Sequence, residues 1–497
     1  MKILIAASEF FPFFKTGGLA DVTGAMARIF SQVKNNKVVV FVPKYKMSSG
    51  CLPPVKAIAG SFTVNVGGVE KKTKLFKTRC GRAEVYFVEN EHYFNRSNLY
   101  GAKNADYSDN DRRFIFFCRA VIEGARFLGF KPDIIHCHDW QTGLVPAYLK
   151  NLYAEDTFFK KTKTVFTIHN LAYQGFFSKK AFDASGFPER YFNQDELEYY
   201  GGINFLKNGI AYSDIVTTVS PNYGKEALSS PKISCRLNGV LASRGKNFYG
   251  ILNGVDNKVW NPKTDALIAK KYNAASFKKG KAACKKNLQN KYNLTQNPDI
   301  ALVGIVSRLD YQKGLDIVAK TIPQFSGRVQ FAVLGTGDKK LEDEFKTLAR
   351  EFKGSLFFVN KLDEVLAHNI YSASDIFLMP SRFEPCGLSQ MIALKYGGVV
   401  VANKTGGLAD TVLGYGESKK PNGFFMNTFG EESLADALSA AFFAFGDKPL
   451  WYNMVANAMK ADFSWDKSAG KYLKIFDKLI GRRHLKKGRL KNEVRRK

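Results

Sequence analysis

Short apolar runs rich in β-branched and aromatic residues recur at residues 3–7, 38–42, 84–88, 133–137, 164–168 and 214–219, with helical periodicity between several of them. A second series follows residue 262, at 301–306, 329–334, 356–359, 375–379 and 399–402. Continuous apolar runs of this length suit strands covered on both faces, and their alternation with 3.6-period segments predicts parallel sheets with helices on both sides. Two doubly wound α/β domains facing across a cleft are the economical arrangement. The turn-rich, aperiodic stretch Asn253-Gly254-Val255-Asp256-Asn257-Lys258-Val259-Trp260-Asn261-Pro262 is the expected join. The expected division is a first domain at 1–252, a linker at 253–262, a second domain at 263–464, a helix at 465–480 and a basic tail at 481–497. Ala469, Tyr472, Leu473, Phe476 and Leu479 give that last helix an apolar stripe.

A chain of 497 residues exceeds one comfortable hydrophobic core, which agrees with two domains. Its seven cysteines are scattered, with no C-x-x-C pair, so neither a disulfide framework nor a zinc knuckle is expected and a reducing, cytoplasmic setting fits. Residues 1–7 are too short an apolar run for a signal peptide and lead straight into Ser8-Glu9, so they are expected to form a first strand. No run of eighteen apolar residues exists, and no membrane span is expected. The formal charge of +29 raises nucleic acid as a partner. Residues 481–497 hold nine Lys/Arg against one Glu, the remaining excess is dispersed, and no recognisable nucleic-acid-binding motif accompanies it, so that partner is not expected.

Chemistry concentrates in a few loops. Pro380-Ser381-Arg382-Phe383-Glu384-Pro385-Cys386-Gly387-Leu388 joins an apolar strand pattern to a helical one, which places it at the ligand-binding edge of a parallel sheet. Gly387 allows close approach of a phosphate, and Glu384 is placed to accept hydrogen bonds from neighbouring hydroxyls, a combination suited to a sugar nucleotide. The heptapeptide Lys15-Thr16-Gly17-Gly18-Leu19-Ala20-Asp21 recurs as Lys404-Thr405-Gly406-Gly407-Leu408-Ala409-Asp410. Each copy offers a lysine and a glycine pair, and paired glycines permit positive φ and close backbone approach to phosphate. A βα turn that needs glycine for packing is the plainer explanation of either copy alone.

These loops, with His136-Cys137-His138-Asp139-Trp140, Thr167-Ile168-His169-Asn170, Ser307-Arg308-Leu309 and Gln312-Lys313-Gly314, resemble the bacterial and plastid glycogen (starch) synthases. Those are retaining glucosyltransferases of the GT-B fold, with two Rossmann-like domains, and the resemblance spans nearly the whole chain. It implies transfer of glucose from ADP-glucose to the non-reducing end of an α-1,4-glucan primer, with ADP released and no cofactor or metal. It also implies that the C-terminal helix crosses back to the first domain. Catalytic roles fall to His169, Glu384, Arg308 and Lys313. Donor binding falls to Lys15, Gly17, Gly18, Arg308, Lys313, Glu384, Cys386, Gly387, Leu388, Thr405 and Gly406. The glucose and acceptor region takes Glu9, Asp139, Trp140, Asn170 and Asn253.

A metal site at His136, His138 and Asp139 is set aside because strand neighbours alternate faces and no second cluster accompanies them. Lys361-Leu362 stands where the family usually has a Gly–aromatic pair, which implies weaker base stacking and leaves UDP as an alternative to ADP. Two other readings are a GT-B enzyme with a different acceptor and a non-catalytic glucan-binding homologue. A nicotinamide dehydrogenase is a third, but G-x-G-x-x-G is missing after the relevant strands.

Overall fold

The computed structural model describes residues 1–46, 55–102 and 105–482. Cys51 and the basic tail from residue 483 lie outside the described residues. Contacts divide the chain into two units, one formed by Met1–Val219, Gly224–Ile251 and the chain from Trp465, the other by Ser220–Tyr223 and Leu252–Ser464.

In the first unit, β1 (Lys2–Ala6), β2 (Lys37–Pro43), β3 (Ala83–Glu89), β4 (Ile134–His138), β5 (Lys163–Ile168), β6 (Ile215–Thr218) and β7 (Phe248–Gly250) lie parallel in the order β7-β6-β5-β4-β1-β2-β3. Ile3, Leu4, Ile5 and Ala6 of β1 are all fully buried, as a central strand with helices on both faces requires. In the second unit, β8 (Ala301–Val306), β9 (Val329–Leu334), β10 (Leu356–Val359), β11 (Ile376–Met379), β12 (Val399–Asn403) and β13 (Gly423–Met426) are also all parallel, in the order β10-β9-β8-β11-β12-β13. In both units the strand order reverses beside the first strand, and the loops at that switch point are where open α/β sheets bind ligands.

Four helices matter to those loops: α1 (Gly18–Gln32), α2 (Ser389–Lys395), α3 (Gly406–Thr411) and α4 (Trp465–Leu479). The stripe of α4 packs on α1 in the first unit, where Phe30 meets Phe476 at 5.5 Å and Tyr472 at 6.4 Å between ring centroids. No helix among the described residues is long and apolar enough to cross a membrane.

Three features depart from the sequence reading. Strand β4 runs one residue later than expected and takes in His138. Phe62–Val66 and Val69–Cys80 form an antiparallel hairpin that extends the first sheet, turning at Gly67 and Gly68, whose φ values are +61° and +79°. Its lysine-rich outer face hides the alternation of buried Val64, Val66 and Leu75. The edge strands β7 and β13 were also not anticipated.

Candidate active site

In the first unit the loops after β1, β4 and β5 stand side by side. Glu9 follows β1 and is 4% exposed. Its Oε1 accepts from the Thr16 hydroxyl at 2.6 Å and the Tyr100 hydroxyl at 2.8 Å, and its Oε2 from the backbone N–H groups of Thr16 at 2.7 Å and Gly17 at 3.1 Å. Glu9 is thus a clamp on the Lys15–Gly17 loop, which leads directly into α1. Lys15 is about half exposed and paired with Asp21 at 2.8 Å. Tyr100 and Thr16 were missed by sequence reasoning; nothing near Tyr100 marks it, because its bond to Glu9 spans 91 residues.

Asp139, just past β4, has φ +56°. It accepts from the backbone N–H of His169 at 2.7 Å, which fixes the start of the His169-Asn170 loop after β5. Asn170 closes the loop by accepting from the backbone N–H of Ala172 at 3.0 Å. Trp140 is not an open stacking surface. It is 8% exposed and packed against Phe114, with centroids 4.8 Å apart, and against Phe177 and Phe205. His136 and His138 share a face of β4, their ring centroids 4.2 Å apart, because residues two apart on a strand point the same way. The alternation argument used against a metal there therefore does not apply to this pair. Among the described residues, no group of three or more His, Cys, Asp or Glu is placed to hold a metal ion.

In the second unit, the loops after β8, β11 and β12 are joined. Lys313 Nζ lies 2.5 Å from Glu384 Oε2, which also accepts from the Ser381 hydroxyl at 3.1 Å. Gln312 ties the two loops by donating to the Phe383 carbonyl at 3.2 Å and accepting, through its own carbonyl, from the Arg382 N–H at 2.8 Å. Arg382 braces the join with a two-bonded pair to Asp316 at 2.7 and 2.6 Å. Arg308 is half exposed and paired with Asp310 at 3.1 Å. Gly407 donates from its backbone to the Glu384 carbonyl at 2.9 Å, seating Thr405-Gly406-Gly407 on the Glu384–Gly387 loop. Leu388 stands immediately before α2 without a side-chain cap bond, and Gln390 donates to the carbonyls of Cys386 at 2.8 Å and Gly387 at 3.0 Å. Burial pushes the Cys386 thiol up to about 12, so it acts through its backbone and packing. Asn253 is 6% exposed and lies beside Cys386, its Oδ1 without a hydrogen-bond partner.

The repeated heptapeptide proves to be two different devices. Gly406 has φ +45°, and an added Cβ would overlap the Glu384 carbonyl oxygen; Gly407 is equally tight against the Cys386 carbonyl. Gly17 instead has an extended φ of −152° and open space around it. Lys404 pairs with Glu417 at 2.8 Å, and Asp410 accepts from Asn222, in the short stretch that belongs to this unit, at 2.9 Å. Gly406→Ala should therefore lower Tm by about 5 °C or more, through left-handed strain and overlap, whereas Gly17→Ala should stay within about 1 °C. Thermal unfolding of the two variants checks this directly.

Burial pushes the His136 and His169 imidazoles down to about 3 and holds His138 well below the ordinary histidine range. Burial pushes the Asp139 carboxyl up to about 7, against the pull of the His169 and Asn170 N–H groups. These imidazoles take protons in the unfolded chain, near pH ~6.5, that the folded chain refuses, so their stabilisation is present above that pH and fades as pH falls toward their folded values. Asp139 works in the opposite sense, since the folded chain holds its proton and the unfolded chain does not. As pH falls from about 6.5 to about 5.5, the three histidines lose stability and Asp139 returns part of it, so a net loss is expected. Urea midpoints at the two pH values read it.

The starch synthase catalytic domain model matches residues 2–243, and the glycosyl transferases group 1 model matches residues 300–442. The chain is 48% identical over 483 residues to the glycogen synthase of Elusimicrobium minutum, covering 97% of this chain and 100% of that one. It is 44% identical to the glycogen synthase of Geotalea daltonii, covering 98% and 100%. Among solved structures it is similar to the catalytic domain of starch synthase IV from Arabidopsis thaliana bound to ADP and acarbose, with TM-score 0.89, 34% identity and 97% and 99% coverage. Sucrose-phosphate synthase from Thermosynechococcus elongatus, at 17% identity, TM-score 0.60 and 97% and 99% coverage, shares the fold. With two parallel Rossmann-like sheets and full-length relatives of one kind, the chain belongs to the glycogen (starch) synthase family of GT-B glycosyltransferases.

Proposed function

We propose that this glycogen synthase takes ADP-glucose as donor and the non-reducing end of an α-1,4-glucan as acceptor, retains the anomeric configuration and releases ADP. The observation that carries the reading is the Lys313–Glu384–Ser381 cluster at the joined loops of the second unit. Departure of ADP builds negative charge on its phosphates, and cations already held in place stabilise that charge without reorganising during the reaction. Lys313, held by Glu384, and Arg308 are assigned to those phosphates, and Lys15 keeps a donor-binding role. Gly17, Gly18, Gly387, Thr405 and Gly406 shape the donor loops, with Cys386 and Leu388 as their packing support. Asn253 belongs to the glucose region.

His169 is assigned to the transferred glucose. Its depressed pKa leaves it neutral, suited to hydrogen bonding and positioning rather than to proton delivery. The nearby carboxylates are already committed, Glu9 to the Thr16–Gly17 loop and Asp139 to the His169 backbone, so neither is offered as a nucleophile for double displacement. Front-face attack, with the departing phosphate accepting the acceptor's proton, is the step this arrangement favours. The cytoplasm is the proposed compartment, supported by the free thiols of Cys118, Cys137, Cys235, Cys284 and Cys386.

Leu362, in the loop after β10, is 90% exposed and is assigned to the base. With glycogen as primer, kcat/KM should favour ADP-glucose over UDP-glucose. Leu362→Tyr should lower KM for ADP-glucose about fivefold by adding an aromatic stacking face. A preference for UDP-glucose would overturn the donor assignment.

A further inference from the structure

His138 Nδ1 and His169 Nε2 are 3.0 Å apart, a ring-to-ring hydrogen bond in which one nitrogen must donate and the other accept. The other nitrogen of His138, Nε2, is buried and has no partner. Both imidazoles are neutral, and a neutral imidazole carries one N–H. If His169 donated, the His138 proton would sit on Nε2, a buried N–H with nothing to accept it. If His138 donates, its Nε2 is a bare acceptor, the less costly group to leave unpaired. We propose that His138 is a positioning residue that donates from Nδ1 to His169 Nε2, so that His169 carries its own proton on Nδ1 and offers that nitrogen to the substrate as a donor only.

The surroundings hold His138 in this role. It ends β4 in register with Thr167 of β5, and its backbone carbonyl accepts from the Thr142 hydroxyl at 2.9 Å. Its ring lies against His136, whose Nε2 is 2.6 Å from the Thr167 hydroxyl and whose Nδ1 is likewise buried without a partner. The same reasoning makes His136 an Nε2–H donor to Thr167. Tyr472 and Phe476 of α4 cover the His136 ring at 5.3 and 5.6 Å. The C-terminal helix thus backs the pair that sets the protonation of His169.

The consequence for transfer rests on the reading of His169 given above: a fixed Nδ1–H can donate to a sugar oxygen and cannot take up the acceptor's proton. The test is a long-range 1H–15N spectrum of the full-length protein with 15N-labelled histidine, tractable because the chain has six histidines, with His169→Gln identifying the signal. The expected result is a pyridine-type Nε2 and a pyrrole-type Nδ1 on His169, with the proton of His138 on Nδ1. A His169 ring protonated on Nε2, or an even mixture, would overturn the proposal, and this readout on the unaltered protein needs no variant to fold. In His138→Phe, which has no donor, the Nδ1–H preference of His169 should be lost and kcat should fall about tenfold, with KM for donor and glucan changing less than about twofold. His138→Asn keeps an N–H donor and should retain the tautomer and most of kcat. Equal losses in both variants, with the His169 tautomer unchanged, would show His138 to be structural only. An unaltered protein that transfers no glucose would refute the proposed reaction while leaving the tautomer to be decided by its spectrum.

Discussion

Glu384→Ala is expected to cut kcat by about a thousandfold, the scale of losing one preorganised electrostatic element from a site that stabilises developing charge. Glu384 and Lys313 are both largely buried, with side chains 6% and 16% exposed, so each is held by the other. Removing the carboxylate frees Lys313 to leave its position and strands a buried cation, at a cost to stability of about 3 kcal/mol. Lys313→Ala should show a loss of similar size. Glu384→Gln keeps the shape and an acceptor for the Ser381 hydroxyl, so it should recover much of the stability but little of the rate. Because the two residues act as one unit, the double variant should be scarcely slower than either single variant. Steady-state kinetics with thermal unfolding of the four proteins reads this, and losses that multiply would show that the two residues act separately.

Glu9→Ala is expected to lower kcat by about a hundredfold without a comparable rise in KM for the glucan, since the loop it releases carries Lys15 and Gly17 and its own carboxylate is fully engaged in holding them. Four hydrogen bonds converge on this one carboxylate, two of them from backbone N–H groups at the entry to α1. The second readout is hydrogen exchange: the Thr16 and Gly17 amides should lose their protection in the variant, while those of β1 keep theirs. Tyr100→Phe removes one bond and leaves the backbone clamp, so its effect should be below about tenfold. An unprotected loop in the unaltered protein would contradict the role given to Glu9.

The parallel strands were legible because a strand covered on both faces must be continuously apolar, and β1, β2, β8 and β12 are. The edge strands β7 and β13, of three and four residues, are too short to stand out as runs, and in the lysine-rich hairpin exposure on one side allows polar residues that break the run. Motif spacing indicated the Lys313 and Glu384 loops, but not that the two side chains bond each other across 71 residues. The bonds that Glu9 accepts from Thr16, Gly17 and Tyr100 were hidden for the same reason, since a sequence does not tell which groups a carboxylate holds. Resemblance places Trp140 in the acceptor region, but the enclosure of its ring by Phe114, Phe177 and Phe205 was not legible, because those contacts come from residues distant in the chain. The repeated heptapeptide showed the opposite limit, with one sequence meeting two backbone conformations. What surrounds Gly406, the Glu384 loop, is set by tertiary packing that seven residues do not encode.

Glucose is expected to leave ADP and arrive on a glucan in a single coupled event, and the ratio of ADP released to glucose incorporated, taken in one reaction with radiolabelled ADP-glucose and glycogen, tests this. One ADP for each glucose found in the polymer, with both signals lost together in Glu384→Ala, is the predicted result. ADP released without incorporation, or incorporation from UDP-glucose alone, would contradict it.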